Sequence, residues 1–276
     1  MKNLKVMMAY FSGTNNTKKI ADIITKKLED INVSITVIDI TAKSIREEDI
    51  SISDYDAFIF GFPIYSLRAP RVCRNWLKKL NGQGKKCSVF FTYGGFGKDP
   101  AHYYIKELLD KQNFKLVSTA EFLGAHTFNY SGWQAATERP NKSDFKLAEE
   151  YTVATVKRFT GEDPGELRKF KKPKYSKIQL NMAEKYRFNL IKQLPTRVTE
   201  SCCMCGICES ICPTNAMNAK KGTANPKACI ACFKCIANCP EKVIKTNDLS
   251  HAWSQKLKFH KTTKEEIDNS KGIIYL

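Results

Sequence analysis

The stretch Val6-Met7-Met8-Ala9-Tyr10-Phe11, followed by Ser12-Gly13-Thr14-Asn15-Asn16-Thr17, decides the architecture of the first half of this chain. Six consecutive apolar residues are what a central parallel strand needs when helices cover both of its faces. The short polar segment then gives way to Ile20, Ile23, Ile24 and Leu28 at helical spacing. Working outward, strands are predicted at 33–38, 57–62, 89–92 and 117–123. The intervening helices carry Val72, Trp76, Leu77 and Leu80, then Ile105, Leu108 and Leu109. A last helical stripe runs through Phe145, Ala148, Thr152, Val156 and Phe159. Five strands separated by helices predict an α/β domain over residues 1–160, built on an open doubly wound parallel sheet. Its ligand belongs outside the carboxyl ends of the strands, where the strand order reverses.

Three loops follow predicted strands and so reach that edge. The first, Ser12 to Thr17, can direct backbone N–H groups and small side-chain donors at an anion, with the helix dipole adding to the attraction. It is not a Walker loop, because no Gly-Lys-Ser/Thr follows, and it lacks G-x-G-x-x-G. An ordinary capped helix would have the same composition. The second loop, Gly61-Phe62-Pro63-Ile64-Tyr65-Ser66, presents aromatic side chains. The third, Thr92-Tyr93-Gly94-Gly95-Phe96-Gly97, lets the backbone approach a flat ligand. Together they suit a planar ring with a phosphate tail. The segment from His126 to Trp133 after the fifth strand reads as a surface loop in preference to a border of the ring, and Cys73 and Cys87 read as core or semi-buried thiols.

On these residues the first 160 positions resemble a flavodoxin domain. The resemblance implies a five-stranded sheet of order 2-1-3-4-5 and non-covalently bound FMN. It implies phosphate contacts from Ser12, Thr14, Asn15, Asn16 and Thr17, and ring contacts from Pro63, Ile64, Tyr65, Ser66, Thr92, Tyr93, Gly94 and Gly95. Asn15-Asn16 stands where many flavodoxins have Thr-Gly.

Nine of the eleven cysteines lie between Cys202 and Cys239. Cys202-x2-Cys205-x2-Cys208-x3-Cys212-Pro213 is repeated 27 residues later as Cys229-x2-Cys232-x2-Cys235-x3-Cys239-Pro240. This is the spacing of bacterial two-cluster ferredoxins, in which the fourth cysteine of each run serves the other cluster. Cluster 1 would take Cys202, Cys205, Cys208 and Cys239; cluster 2 would take Cys229, Cys232, Cys235 and Cys212. Thiolates are soft ligands suited to iron–sulfur clusters. Zinc also accepts four cysteines, but it does not account for two identical quartets each ending in Cys-Pro. Cys203 is supernumerary.

The whole chain is similar to flavodoxin–ferredoxin fusion ferroflavoproteins of anaerobic bacteria and archaea. The domains expected are 1–160, flavodoxin-like; 161–198, a basic connector with a helix; 199–248, a small α+β domain for two [4Fe-4S] clusters; and 249–276, a C-terminal tail. The stripe Leu180, Ala183, Arg187, Leu190, Ile191 and Leu194 reads as packing between modules. The function implied is electron transfer between clusters and FMN, as a ferredoxin-linked flavin oxidoreductase of unidentified acceptor. The alternative is a non-enzymatic carrier between larger redox enzymes. No protein nucleophile or general acid stands out, so catalytic residues are unassigned.

Composition bounds the rest. The longest apolar stretch, 57–65, contains Pro63 and is far short of the ~20 residues of a membrane span, so no membrane association is expected. With no secretory leader pattern, clustered cysteines point to the cytoplasm. The formal charge is +17. Two oxidised cubanes at about −2 each and a flavin phosphate would bring the loaded protein near about +11. The run Arg168-Lys169-Phe170-Lys171-Lys172-Pro173-Lys174 has one aromatic and no nucleic-acid motif. It suits an acidic redox protein of ferredoxin or flavodoxin type, or a small-molecule acceptor, rather than nucleic acid.

Overall fold

The structure, a computed structural model, describes residues 4–96 and 99–276. Gly97, at the end of the third predicted loop, lies outside the described residues. The first half runs β1 (Lys5–Tyr10), α1 (Asn16–Asp30), β2 (Ser34–Asp39), β3 (Ala57–Pro63), α2 (Arg71–Leu77), β4 (Lys86–Tyr93), α3 (Asp99–Lys111), β5 (Lys115–Leu123) and α4 (Lys142–Thr160). The five strands pair in parallel in the order 2-1-3-4-5.

The apolar runs form central strands because both faces are covered. Every residue of β3 is buried, as is every residue of β1 after Lys5. Alternate side chains share a face, so Phe58, Phe60 and Phe62 line up on one side with ring centroids 6.2 and 6.4 Å apart. Trp76 of α2 and Leu109 of α3 pack there. On the opposite face Ile59, Phe90 and Phe122 meet Ile24 of α1 and Tyr151 of α4. Cys73 and Cys87 are buried thiols.

The second half continues through α5 (Lys177–Leu190), β6 (Thr196–Arg197), α6 (Ile207–Ser210), β7 (Met217–Asn218), β8 (Thr223–Ala224), α7 (Lys234–Ala237), β9 (Ile244–Lys245), α8 (Ser250–His260), α9 (Lys264–Asp268) and β10 (Ile273–Tyr275). Strands β6 to β9 make a small antiparallel sheet of order β7-β8-β6-β9.

The large sheet has six strands rather than the five expected. β10 returns from the C-terminal segment and pairs antiparallel with β5, Ile273 opposite Glu121 and Tyr275 opposite Thr119. It covers an edge that would otherwise present unpaired backbone groups. The segment read as a tail is therefore built into the first sheet. Tyr275 packs 4.7 Å from the ring of His102 and 5.7 Å from that of Phe170, and the Arg168 guanidinium lies 5.1 Å over it. Among the described residues, no helix is long and apolar enough to cross a membrane.

Candidate cofactor site

A cleft opens at the carboxyl ends of β1, β3, β4 and β5. Ser12, Thr14, Asn16 and Thr17 line it from the first loop, Pro63, Ile64 and Tyr65 from the second, and Thr92, Tyr93 and Gly94 from the third. Asn15 takes a left-handed conformation (φ 66°) before α1 and forms no side-chain cap. An ordinary side-chain cap is thus missing at this helix start, and Ser12 Oγ instead accepts the N–H of Lys18. Thr17 and Thr92 share a hydroxyl hydrogen bond of 2.7 Å across the cleft floor, and Asn16 Nδ2 donates to the Ala125 carbonyl at 2.8 Å.

Three expected residues do not reach the cleft wall. Asn15 is exposed at its left-handed position. Ser66 sits at the tip of a turn closed by paired backbone hydrogen bonds between Tyr65 and Arg68, which carries it away. Gly95 is covered by α9: a Cβ there would lie 2.4 Å from Ile267 Cγ2.

Sequence reasoning also missed part of the wall. Gly13, Gly124, Ala125, His126, Thr127 and Arg187 line the cleft as well. The segment 126–133 is not a surface loop, because Thr127, Phe128 and Trp133 are buried. His126 stacks on Trp133 at 4.4 Å, and Trp133 in turn contacts Trp253 of α8 at 5.4 Å. The loop follows a strand, which was a usable signal; what buries it comes from the far end of the chain. For Arg187 the sequence carried no such signal, since it stood within a packing stripe.

Burial governs the ionisable groups. The Tyr65 hydroxyl is held upward by desolvation, the nearby Cys232 adding to it. His126 is pushed down to about 3 by burial and then by the positive charges of Arg187 and Lys256. It is a neutral ring near pH 7, whose Nδ1 accepts the Phe128 N–H at 3.0 Å.

The cysteine runs fold as two mixed quartets. Cys202, Cys205, Cys208 and Cys239 line one cavity, and after burial the other three thiols raise that of Cys208. Burial raises the Cys235 thiol, and its neighbours Cys232, Cys229 and Cys212 add to this. The fourth cysteine of each run thus lies beside the first three of the other run. All eleven cysteines are free of disulfides. Among the described residues, no group of three or more His, Cys, Asp or Glu is gathered as a single metal ion would need. Burial raises the thiols of Cys208 and Cys229 and pushes Cys232 up to about 12. Without a cation these are neutral thiols, and binding a metal centre would release their protons.

The second quartet backs directly onto the cleft. A Cβ placed on Gly13 would lie 3.1 Å from the Cys232 carbonyl oxygen and 3.3 Å from its Cβ. Cys232 is counted in the same apolar cluster as Phe62 and Tyr65. Arg187 Nη2 donates to the Ala231 carbonyl at 2.6 Å, Arg46 donates to the Pro213 carbonyl, and Phe233 packs 5.5 Å from Phe128.

Comparison with known proteins follows this geometry. Residues 7–134 match the family model described as a flavodoxin domain, and residues 195–218 match one described as a 4Fe-4S binding domain. The molecule is an electron-transfer protein of the flavin and iron–sulfur class. More particularly, the chain is a flavodoxin–ferredoxin fusion. Among solved structures it is similar to a flavodoxin from the domain Archaea, at 19% identity over 57% of this chain and 99% of that one, with a TM-score of 0.43. It is also similar to oxidised flavodoxin 2 from Bacillus cereus, at 20% identity over 56% of this chain and 99% of that one, TM-score 0.44. A third likeness is to rubredoxin oxygen:oxidoreductase from Desulfovibrio gigas, at 18% identity over 57% and 36%, TM-score 0.43. A search of the curated proteins found no match.

Proposed function

We propose that the cleft holds FMN and that each quartet holds one [4Fe-4S] cluster. Single electrons would pass between the clusters and the flavin, for delivery to an acceptor outside the chain. The observation that carries this reading is the contact of Cys232 with Gly13, which sets a cluster ligand against the loop that begins the cleft. Covalent fusion holds the two redox modules at high effective concentration.

The residues fit these groups. Arg187 Nε is sealed from solvent and has no acceptor among the described residues, as a group completed by a ligand would be. The thiolates are soft donors in the ferredoxin arrangement. FMN, when bound, supplies both one- and two-electron chemistry. Ser12, Thr14, Asn16 and Thr17 would hold its phosphate. Pro63, Ile64, Tyr65, Thr92, Tyr93 and Gly94 would flank the ring, with the 126–128 segment closing the cleft against water. Backbone N–H groups already point at cluster sulfurs: Ala216 donates to Cys212 Sγ at 3.2 Å and Ala231 to Cys229 Sγ at 3.4 Å. The protein would work in the cytoplasm of an anaerobe as a ferredoxin-linked flavin oxidoreductase, exchanging electrons with an acidic redox protein.

Anaerobic reconstitution tests this. The expected product carries about eight iron atoms and one FMN per chain, and on stepwise reduction cluster bleaching is followed by flavin reduction. Clusters that reduce without passing charge to FMN would overturn the reading. Reoxidation by protein partners alone, with no small acceptor, would mark a carrier rather than an enzyme.

A further inference from the structure

Arg187 reaches the cleft from α5, outside the sheet that forms its floor. Its guanidinium lies 4.3 Å over the Tyr65 ring and 4.6 Å from the Phe128 ring centre. Nη2 donates to the Ala231 carbonyl at 2.6 Å, whereas Nε has no acceptor among the described residues. The groups acting on its charge are Tyr65, Cys232 and Cys229, with no carboxylate among them. Other buried arginines are satisfied within the protein: Arg68 pairs with Glu184, Arg139 with Asp144 and Arg158 with Asp163, and Arg46 donates to the carbonyls of Ile40, Thr41, Ala42 and Pro213. Two aromatic faces offset part of the desolvation of a guanidinium. They leave the Nε–H donor without an acceptor, which is costly in a closed site.

We propose that Arg187 is a flavin-binding residue at the ring end of the cleft, whose charge and idle Nε–H favour the reduced, negatively charged ring over the oxidised neutral one. This rests on the FMN reading above. The ring end is indicated because Tyr65 and Phe128 belong to the segments after β3 and β5. The two-electron reduction takes up two electrons and one proton and leaves one negative charge on the ring. The electrons come from a low-potential one-electron donor by way of the clusters, and the proton comes from water. Arg187 thus stands between two anionic neighbours, the flavin on one side and the Cys229–Cys232 loop on the other.

The test compares wild type, Arg187→Lys and Arg187→Met, reconstituted with clusters, by titration with oxidised and with reduced FMN. Arg187→Met should bind oxidised FMN nearly as wild type does but reduced FMN roughly 10- to 100-fold more weakly, the range of a hydrogen bond to a charged group. That ratio corresponds to a two-electron midpoint lowered by about 30–60 mV. Arg187→Lys should retain most of the preference. Equal weakening of both oxidation states would indicate a merely structural role and overturn the proposal. Riboflavin in place of FMN should show the same change of ratio; an effect confined to FMN would move Arg187 to the phosphate and overturn the ring placement. Should Arg187→Met not fold, the infrared carbonyl stretches of bound FMN in wild type and Arg187→Lys decide instead. Lysine has no Nε–H to offer, so a difference is expected, and identical spectra would overturn the assignment. Failure of wild type to bind FMN sinks the cofactor reading itself, whereas normal binding with an unchanged ratio in Arg187→Met sinks only the role of Arg187.

Discussion

The two cysteine quartets share a sequence pattern and a backbone, yet occupy opposite environments. Left-handed residues recur at the 27-residue offset of the repeat: Met204 and Ala231 at φ 54° and 51°, Gly206 and Phe233 at 73° and 58°, Asn215 and Lys242 at 53° and 54°. The local loops that present the thiols are therefore the same. Around the first quartet, however, Cys203, Met204 and Cys205 are exposed. In the second, Cys232 and Cys235 are buried and Cys232 touches the first loop of the cleft. Spacing fixes how a cluster is held; what surrounds it fixes solvent access, hydrogen bonding and hence potential. On the proposed reading the more exposed quartet would meet a partner and the more buried one the flavin.

The largest expected effect breaks that pair apart. Cys232→Ser should abolish electron passage to FMN. Cys205→Ser should remove the exposed cluster yet leave flavin reduction possible when a small photochemical reductant feeds the buried one. Anaerobic flash photoreduction followed at cluster and flavin wavelengths measures both. Equal loss in the two variants would refute an ordered relay.

The two cysteine runs were legible in the sequence because residue type and spacing are local. The five parallel strands were legible for a similar reason: runs such as 6–11 and 57–62 leave little choice when both faces must be covered. What was hidden depends on contacts far apart in the chain. Ile273-Ile274-Tyr275 is too short to announce itself as a strand until β5 offers an edge. The 126–133 segment is buried because Trp253 and Phe233 cover it. Arg187 occupied an ordinary helical position, and only the docking of the ferredoxin part shows that it enters the cleft.

Phe233 is where the second loop departs most from the first. Its partner by repeat is Gly206, which has open space around its α-carbon, while Phe233 is 1% exposed and packs against Phe128. Replacing this aromatic anchor, Phe233→Ala, should cost about 3–5 kcal/mol, read as a fall in the denaturation midpoint of the holoprotein. Loss of hydrogen-exchange protection should centre on 126–133. A loss confined to the small sheet would mean that Phe233 serves its own domain and does not dock it.

The cleft side of that junction has a pH signature. Desolvation in the cleft, with the charges of Arg187 and Lys256 behind it, pushes His126 down to about 3 in the folded protein, from 6.5 in the unfolded chain. Above pH 6.5 both states are neutral here and the contribution to stability is complete. As pH falls toward 3, only the unfolded chain takes up the proton, so stability is progressively lost. The slope reaches at most about 1.4 kcal/mol per pH unit. Urea unfolding between pH 6.5 and 4 should show a flatter dependence in His126→Gln than in wild type. Parallel curves would assign the acid sensitivity elsewhere.

The smallest effect isolates the cost of the shared backbone. A left-handed residue with a Cβ is strained by about 1–2 kcal/mol relative to glycine. Gly206→Ala, at φ 73° with no atom near its added methyl, should lose about that much and nothing more. At the matched position Phe233→Gly should be less damaging than Phe233→Ala by a similar increment, because it relieves the strain while losing the same ring. If the two differences agree, the repeats impose the same conformation. The strain at Phe233 is then carried because its ring ties the second cysteine loop to the segment that walls the cleft. Should Phe233→Gly be no better than Phe233→Ala, the left-handed turn there is held by packing rather than by the repeat, and the equivalence of the two loops fails at that point.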